Sequence, residues 1–298
     1  MEKTKRNFNI YVIGSLAATL VCVVLRTLSV FMFYDLEIGY YTRGAALPIA
    51  LNILLVLSVA LFAIGAILLT KERRFEPKAN SQAVRYVSVL PFGAFLAFVA
   101  NAVNKLMAYS SRNAELEPTF YVALVCAVLG AIWFATVALD KSGNAIGLAL
   151  GFAVIVWFIV SLAISYFDPY VQMNSPDKLI FHMACLSGML LVLGELRRYF
   201  STPRKALYMF SLSAASLLLL TSSVPSILVS TMGRGLHNYV LLAEDGVCLG
   251  VGIFALVKLI SIAFLEKIPE AEDAEVAEES AETAESEAEE SEAADDER

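Results

Sequence analysis

Charge is scarce in this chain: 17% of its 298 residues are Asp, Glu, Lys or Arg, against about 25% in ordinary soluble domains. So little charge cannot coat a water-facing surface, and with 58% hydrophobic residues and a mean hydropathy of +0.68 the solvent for most of the chain is lipid. Histidine occurs twice, and there is no His-Glu-x-x-His, no Cys-x-x-Cys pair and no glycine-rich loop of the kind that cradles phosphate. No connection between apolar runs exceeds about 15 residues, which excludes an attached kinase, cyclase or nucleotide-driven motor domain. Paired aspartates in facing spans, as intramembrane proteolysis would need, are also missing. The chain is therefore expected not to be an enzyme and to carry no cofactor. Cys22, Cys126, Cys185 and Cys248 all fall inside apolar runs, where they read as small packing residues rather than disulfide partners.

What is present is a series of eight long apolar runs, at residues 8–33, 44–70, 86–108, 119–139, 146–167, 178–196, 206–231 and 239–265. Crossing roughly 30 Å of hydrocarbon takes about 20 helical residues, and lipid offers backbone N–H and C=O groups no partner, so each run predicts a membrane-spanning α-helix. The runs are too continuously apolar for the alternating strands of a barrel. The expected fold is all-α: a polytopic membrane protein with one eight-span domain over residues 1–267, followed by an acidic tail over 268–298. The first run exceeds the 7 to 15 apolar residues, roughly, of a cleavable signal, so it is expected to remain as a helix.

The formal charge of −7 divides unevenly. Residues 268–298 hold 15 acids and Arg298, a net −14, which leaves 21 bases and 14 acids, a net +7, in residues 1–267. Like charge at that density, without an aromatic residue, predicts a disordered tail. Bases in alternate connections are also uneven. One side has Lys3, Lys5, Arg6, Lys71, Arg73, Arg74, Lys78, Arg85, Lys141, Arg197, Arg198, Arg204, Lys205 and Lys267; the other has Arg43, Lys105, Arg112, Lys178 and Arg234. Fourteen against five places both termini, and the tail, in the cytoplasm of a cell-membrane protein. The weakest span is the seventh, with Ser211, Ser213, Ser216, Thr221, Ser222, Ser223, Ser226 and Ser230 besides Pro225.

The two halves share local phrases in one order, which predicts a parallel four-plus-four internal repeat over 1–140 and 141–267. Arg73-Arg74-Phe75 matches Arg197-Arg198-Tyr199, Phe33-Tyr34-Asp35 matches Tyr166-Phe167-Asp168, and Leu129-Gly130 before Phe134-Ala135 matches Leu249-Gly250 before Phe254-Ala255. Gly147-x-x-x-Gly151 and Gly246-x-x-x-Gly250 predict close helix approach. Pro91 and Pro225 each free one carbonyl within a span.

Ionisable side chains at membrane depth are costly and mark functional positions by default. Arg26, Glu244 and Asp245 lie at matching depth in the leaflet opposite the termini, with Asn101, Asn104 and Lys105 on one face of span three and His182 one turn inside span six. These seven predict a polar pocket open on that side, with Arg26 paired to Glu244 or Asp245. The bland alternative is a charge pair locking two helices, with Lys105 and His182 reaching to the interface. Lys258, near the other surface, reads as reaching out in the same way. His182, Cys185, Glu244 and Cys248 have conceivable metal-ligand spacing, but no metal is expected there. The partners expected are the lipid bilayer and a small-molecule solute, bound or transported, and not nucleic acid. The competing expectation is a non-transporting sensor or assembly subunit whose basic loops and acidic tail engage a cytoplasmic partner.

Overall fold

The computed structural model describes residues 2–35, 39–70, 79–111, 117–141, 143–168, 175–198, 204–232 and 239–264. The acidic tail at 268–298, the basic stretch 71–78 and residues 199–203 lie outside the described residues. Eight helices are formed: α1 (Glu2–Phe33), α2 (Ala46–Thr70), α3 (Ser81–Ser110), α4 (Pro118–Ala138), α5 (Ala145–Phe167), α6 (Pro176–Arg197), α7 (Lys205–Thr231) and α8 (Tyr239–Phe264). All eight are long and apolar enough to span a membrane.

Local signals set several boundaries. Asn80 caps α3 by accepting hydrogen bonds from the Gln82 and Ala83 amides at 2.9 and 3.4 Å. Proline stands in the first turn of α4 and α6, where its missing N–H costs nothing. Between α1 and α2 lies an unexpected two-stranded ribbon, β1 (Tyr34–Asp35) with β2 (Tyr40–Tyr41), antiparallel with Tyr34 opposite Tyr41. Their rings meet edge to face at 5.3 Å, and Gly39 at φ +74° supplies the left-handed residue that the return turn requires.

Helices α3, α4, α5, α6, α7 and α8 pack in that order around a ring, with α8 closing on α3; α1 and α2 pack together on the outside of α7. Consecutive helices are antiparallel. Arg85 near the start of α3 reaches Asp140 just past α4, and Lys178 at the start of α6 reaches the Asp168 carbonyl at the end of α5. Eight such crossings put Glu2 and Phe264 at one end of the bundle, the terminal end; the Tyr34–Tyr41 ribbon marks the opposite, ribbon end. Aromatic rings fill the ring's interior: Trp157 of α5 lies 5.2 Å from Phe95 and 5.4 Å from Phe98 of α3, and Phe134 of α4 lies 5.5 Å from Phe254 of α8. Close approach is carried by glycine where expected in part. A Cβ on Gly250 would lie 3.1 Å from the Pro91 backbone, and one on Gly151 would meet Leu196 at 2.5 Å, whereas Gly246 faces open space.

The seventh span is among the least hydropathic of the eight, as its hydroxyls indicate, yet it lies at the centre of the bundle. It is the most enclosed helix, with 83% of its apolar window buried against α1, α2, α6 and α8. Four of its hydroxyls bond back to their own helix, Ser211 to Tyr208 O, Ser216 to Ser213 O, Ser223 to Leu219 O and Ser226 to Ser222 O, while Thr221 Oγ1 and Ser230 Oγ have no partner among the described residues. A helix that meets protein on every side need not be apolar, because neighbours and its own carbonyls satisfy the hydroxyls. The internal repeat finds no support in the packing. Helix α6 packs along both α5 and α7, whereas α2, its counterpart, packs along α1 and the distant α7 but not along α3.

Candidate functional site

At the ribbon end the site grows from two local features. Ser175-Pro176-Asp177 is a helix start: Ser175 Oγ accepts from the Lys178 amide at 3.2 Å, Pro176 occupies the first turn, and Asp177 sits beside the positive end of α6. On α7, Pro225 has no N–H to donate four residues back, so the Thr221 carbonyl lacks its helical partner. Arg26 of α1 supplies both needs. Its Nη1 donates to the Thr221 carbonyl at 2.9 Å, and its Nη2 pairs with Asp177 Oδ1. The guanidinium is buried, 1% exposed, and its carboxylate partner is 15% exposed. Tyr41 of the ribbon is within hydrogen-bonding reach of Arg26. Its phenol is held above the usual value, first by burial and then by the Asp177 charge, with Arg26 opposing both. Burial and Asp177 likewise raise the Tyr34 phenol. Two buried polar atoms at this junction have no hydrogen-bond partner in the protein: Arg26 Nε and Thr221 Oγ1.

The predicted pairing of Arg26 with Glu244 or Asp245 is thus corrected: the acid on its guanidinium is Asp177. The sequence reading took span six to begin at 178 and so left Asp177 in the loop; the serine-proline helix start was the signal that would have included it. Glu244 and Asp245 are buried on α8, 3% and 4% exposed, and lie within electrostatic range of Cys185 on α6 and Cys248 on α8. His182 sits half-buried on α6, its ring 6.0 Å from Tyr166 of α5, with Nε2 buried and unpartnered. Lys178 is buried and donates to the Asp168 carbonyl at 3.3 Å.

The remaining candidates do not join this group by any contact. Lys105 lies over the Phe120 and Tyr109 rings, 5.4 and 5.8 Å from their centroids, where cation–π attraction holds it between α3 and α4. Asn101 bonds to the Ala97 carbonyl of its own helix, and Asn104 is exposed. Among the described residues no group of three His, Cys, Asp or Glu side chains is arranged to hold a metal ion.

A second buried cluster occupies the terminal end, and here too the sequence reading is corrected. Lys258 of α8 does not reach for the interface; it is 4% exposed and its Nζ lies 2.5 Å from Glu195 Oε2 of α6. The Tyr208 hydroxyl of α7 donates to Glu195 Oε1 at 3.1 Å, Arg198 Nη1 approaches Glu195 Oε2 at 3.6 Å, and the same Nη1 donates to the Tyr208 hydroxyl at 3.4 Å. Glu195 lies in a run otherwise marked by arginine, and nothing in the sequence shows that Lys258 of another helix faces it. No protein-family model, curated protein or solved structure matches this chain.

Proposed function

We propose that this multi-pass membrane protein binds a small polar solute at the ribbon end, beside Arg26, and moves it across the bilayer. The observation that carries the reading is the pair of unmet atoms, Arg26 Nε and Thr221 Oγ1, at a largely buried junction where both Nη groups of Arg26 are engaged. A buried donor without an acceptor is costly, so the position favours a guest that brings one. Buried charge on spanning helices also marks function by default. A carboxylate, phosphate or amide oxygen suits the N–H of Arg26, and Thr221 can donate to the same guest.

The test is a thermal-shift screen of the purified protein against small carboxylates, inorganic phosphate and neutral amides, followed by counterflow in proteoliposomes for each hit. Stabilisation that vanishes in both Arg26→Lys and Thr221→Val supports the site. Stabilisation that survives both variants, or no shift with any class, removes it.

A second reading, a non-transporting membrane component, draws support from the aromatic filling of the ring by Phe95, Phe98, Phe134, Trp157 and Phe254, which leaves the interior packed. Solute-dependent stabilisation without counterflow would favour it.

The orientation follows from the fourteen-to-five excess of bases at the terminal end: both termini face the cytoplasm of a cell membrane. A cysteine at the exposed Ser111 should then react with an impermeant thiol reagent in intact cells, and one at the exposed Ser81 should not. Ser175 is unsuited as a reporter, being buried and a helix cap.

A further inference from the structure

At the terminal end an open groove of about 570 Å³ runs between the last turns of α2 and the first turns of α7. That size falls in the roughly 300 to 1,000 Å³ range of small-molecule sites. Its lining is mostly apolar, with Ala63 and Ile67 of α2 and Leu207 and Phe210 of α7, and it includes Arg204 and Lys205 at the start of α7. Neither feature alone would specify an occupant. An apolar trough on a membrane-spanning helix pair is met by acyl chains, and a soluble anion would leave its walls bare. Two cations at the start of α7 select against a neutral head group. Arg204 is exposed at the N-cap of α7, so its charge and the positive end of the α7 dipole add at one place.

We propose that this groove is a binding site for an anionic phospholipid, with one acyl chain against Ala63, Ile67, Leu207 and Phe210 and the phosphate against Arg204 and Lys205. The lipid covers α2 where it leans on α7, and so fastens the peripheral α1–α2 pair to the central helix. This assignment is independent of the solute site, which lies at the opposite end of α7.

The test uses full-length protein carrying p-benzoylphenylalanine at Ile67, an exposed groove position, in nanodiscs of phosphatidylcholine alone or mixed with phosphatidylglycerol. Irradiation followed by mass spectrometry reads the adduct. The expected result is phosphatidylglycerol adduct above its share of the bilayer, falling roughly fivefold in Arg204→Gln, the value of one cation near an anionic surface. Raising the salt concentration lowers the adduct in the same direction. Ala63→Phe, which fills the groove and leaves its charge intact, abolishes the enrichment. Arg6→Gln, which removes an exposed charge at the same end but does not line the groove, leaves it unchanged. Adduct in proportion to bilayer composition overturns the proposal. So does enrichment that Arg6→Gln reduces as much as Arg204→Gln, which would indicate a diffuse surface effect. Cross-linking of Ile67 to residues 268–298 instead of lipid also overturns it, assigning the groove to the acidic tail. If Arg204→Gln does not fold, Ala63→Phe and the salt series decide the matter unaided.

Discussion

Two charge clusters lie at opposite ends of the central helices, one around Arg26 and Asp177 and one around Glu195 with Lys258 and Arg198, and they are satisfied to different degrees. At the terminal end both oxygens of Glu195 are engaged, Oε2 by Lys258 and Arg198 and Oε1 by the Tyr208 hydroxyl. At the ribbon end Arg26 joins Asp177 to the carbonyl released by Pro225, yet Nε and the neighbouring Thr221 Oγ1 have no protein partner. The Glu195 cluster, with both carboxylate oxygens engaged, holds α6, α7 and α8 in one arrangement. An unsaturated one tolerates the same desolvation while leaving hydrogen-bonding capacity, which is the condition for binding.

The largest effect should come from breaking the saturated cluster. Lys258→Met leaves buried Glu195 with the more distant, partly exposed Arg198 as its counter-charge and is expected to lower stability in detergent by about 3 to 5 kcal/mol, the cost of breaking a buried pair. Adding Glu195→Gln should recover much of that loss in the same unfolding assay; no recovery would mean that the pair is not the source. Arg26→Leu should cost somewhat less, about 3 kcal/mol, because Asp177 retains some contact with solvent. Its coupling to Asp177→Asn in a double-mutant cycle should exceed its coupling to Glu244→Gln, and the opposite ranking would restore the pairing that the sequence first indicated.

The comparison is sharpened by removing one hydroxyl at each end. Tyr208→Phe deprives Glu195 Oε1 of its donor and should destabilise by about 1 to 3 kcal/mol. Thr221→Val, nearly isosteric and removing a hydroxyl that bonds nothing, should leave stability equal or slightly improved while abolishing solute-dependent stabilisation. Equal losses from the two substitutions would erase the distinction between lock and site. The smallest expected effect tests the origin of the Arg26 acceptor. In the Arg26→Leu background the Thr221 carbonyl is unpartnered, and Pro225→Ala restores the helical N–H it lacks. Pro225→Ala should therefore be more favourable there than in the native background by about 1 kcal/mol.

Much of this was legible in the chain. The eight spans fell within a few residues of the helices, because apolar length and backbone satisfaction in lipid are local requirements. The expectation that Pro225 frees a carbonyl was the informative part of its presence, although the sequence could not name the donor. Arg26 was picked out by cost alone. Asp177 and Glu195 were passed over for a common reason: each lies within a turn of a helix end, where an acid is ordinarily solvated, and neither shows in sequence that a cation from another helix covers it. Lys105 was grouped with Arg26 on depth, but depth fixes one coordinate and leaves rotation and neighbour order open. The structure put it over Phe120, on the far side of α3 from α1.

Composition and apolar length determined that this chain forms eight helices long and apolar enough to cross lipid, since transfer from water to hydrocarbon is settled segment by segment. Which helix became central, which acid met Arg26 and whether an isolated lysine reached outward or inward were decided by tertiary packing. Those outcomes depend on which faces meet, and helices as uniformly apolar as these carry little one-dimensional record of their faces. The most polar span lies innermost for the same reason: its place follows from what surrounds it, and only the assembled bundle supplies those surroundings.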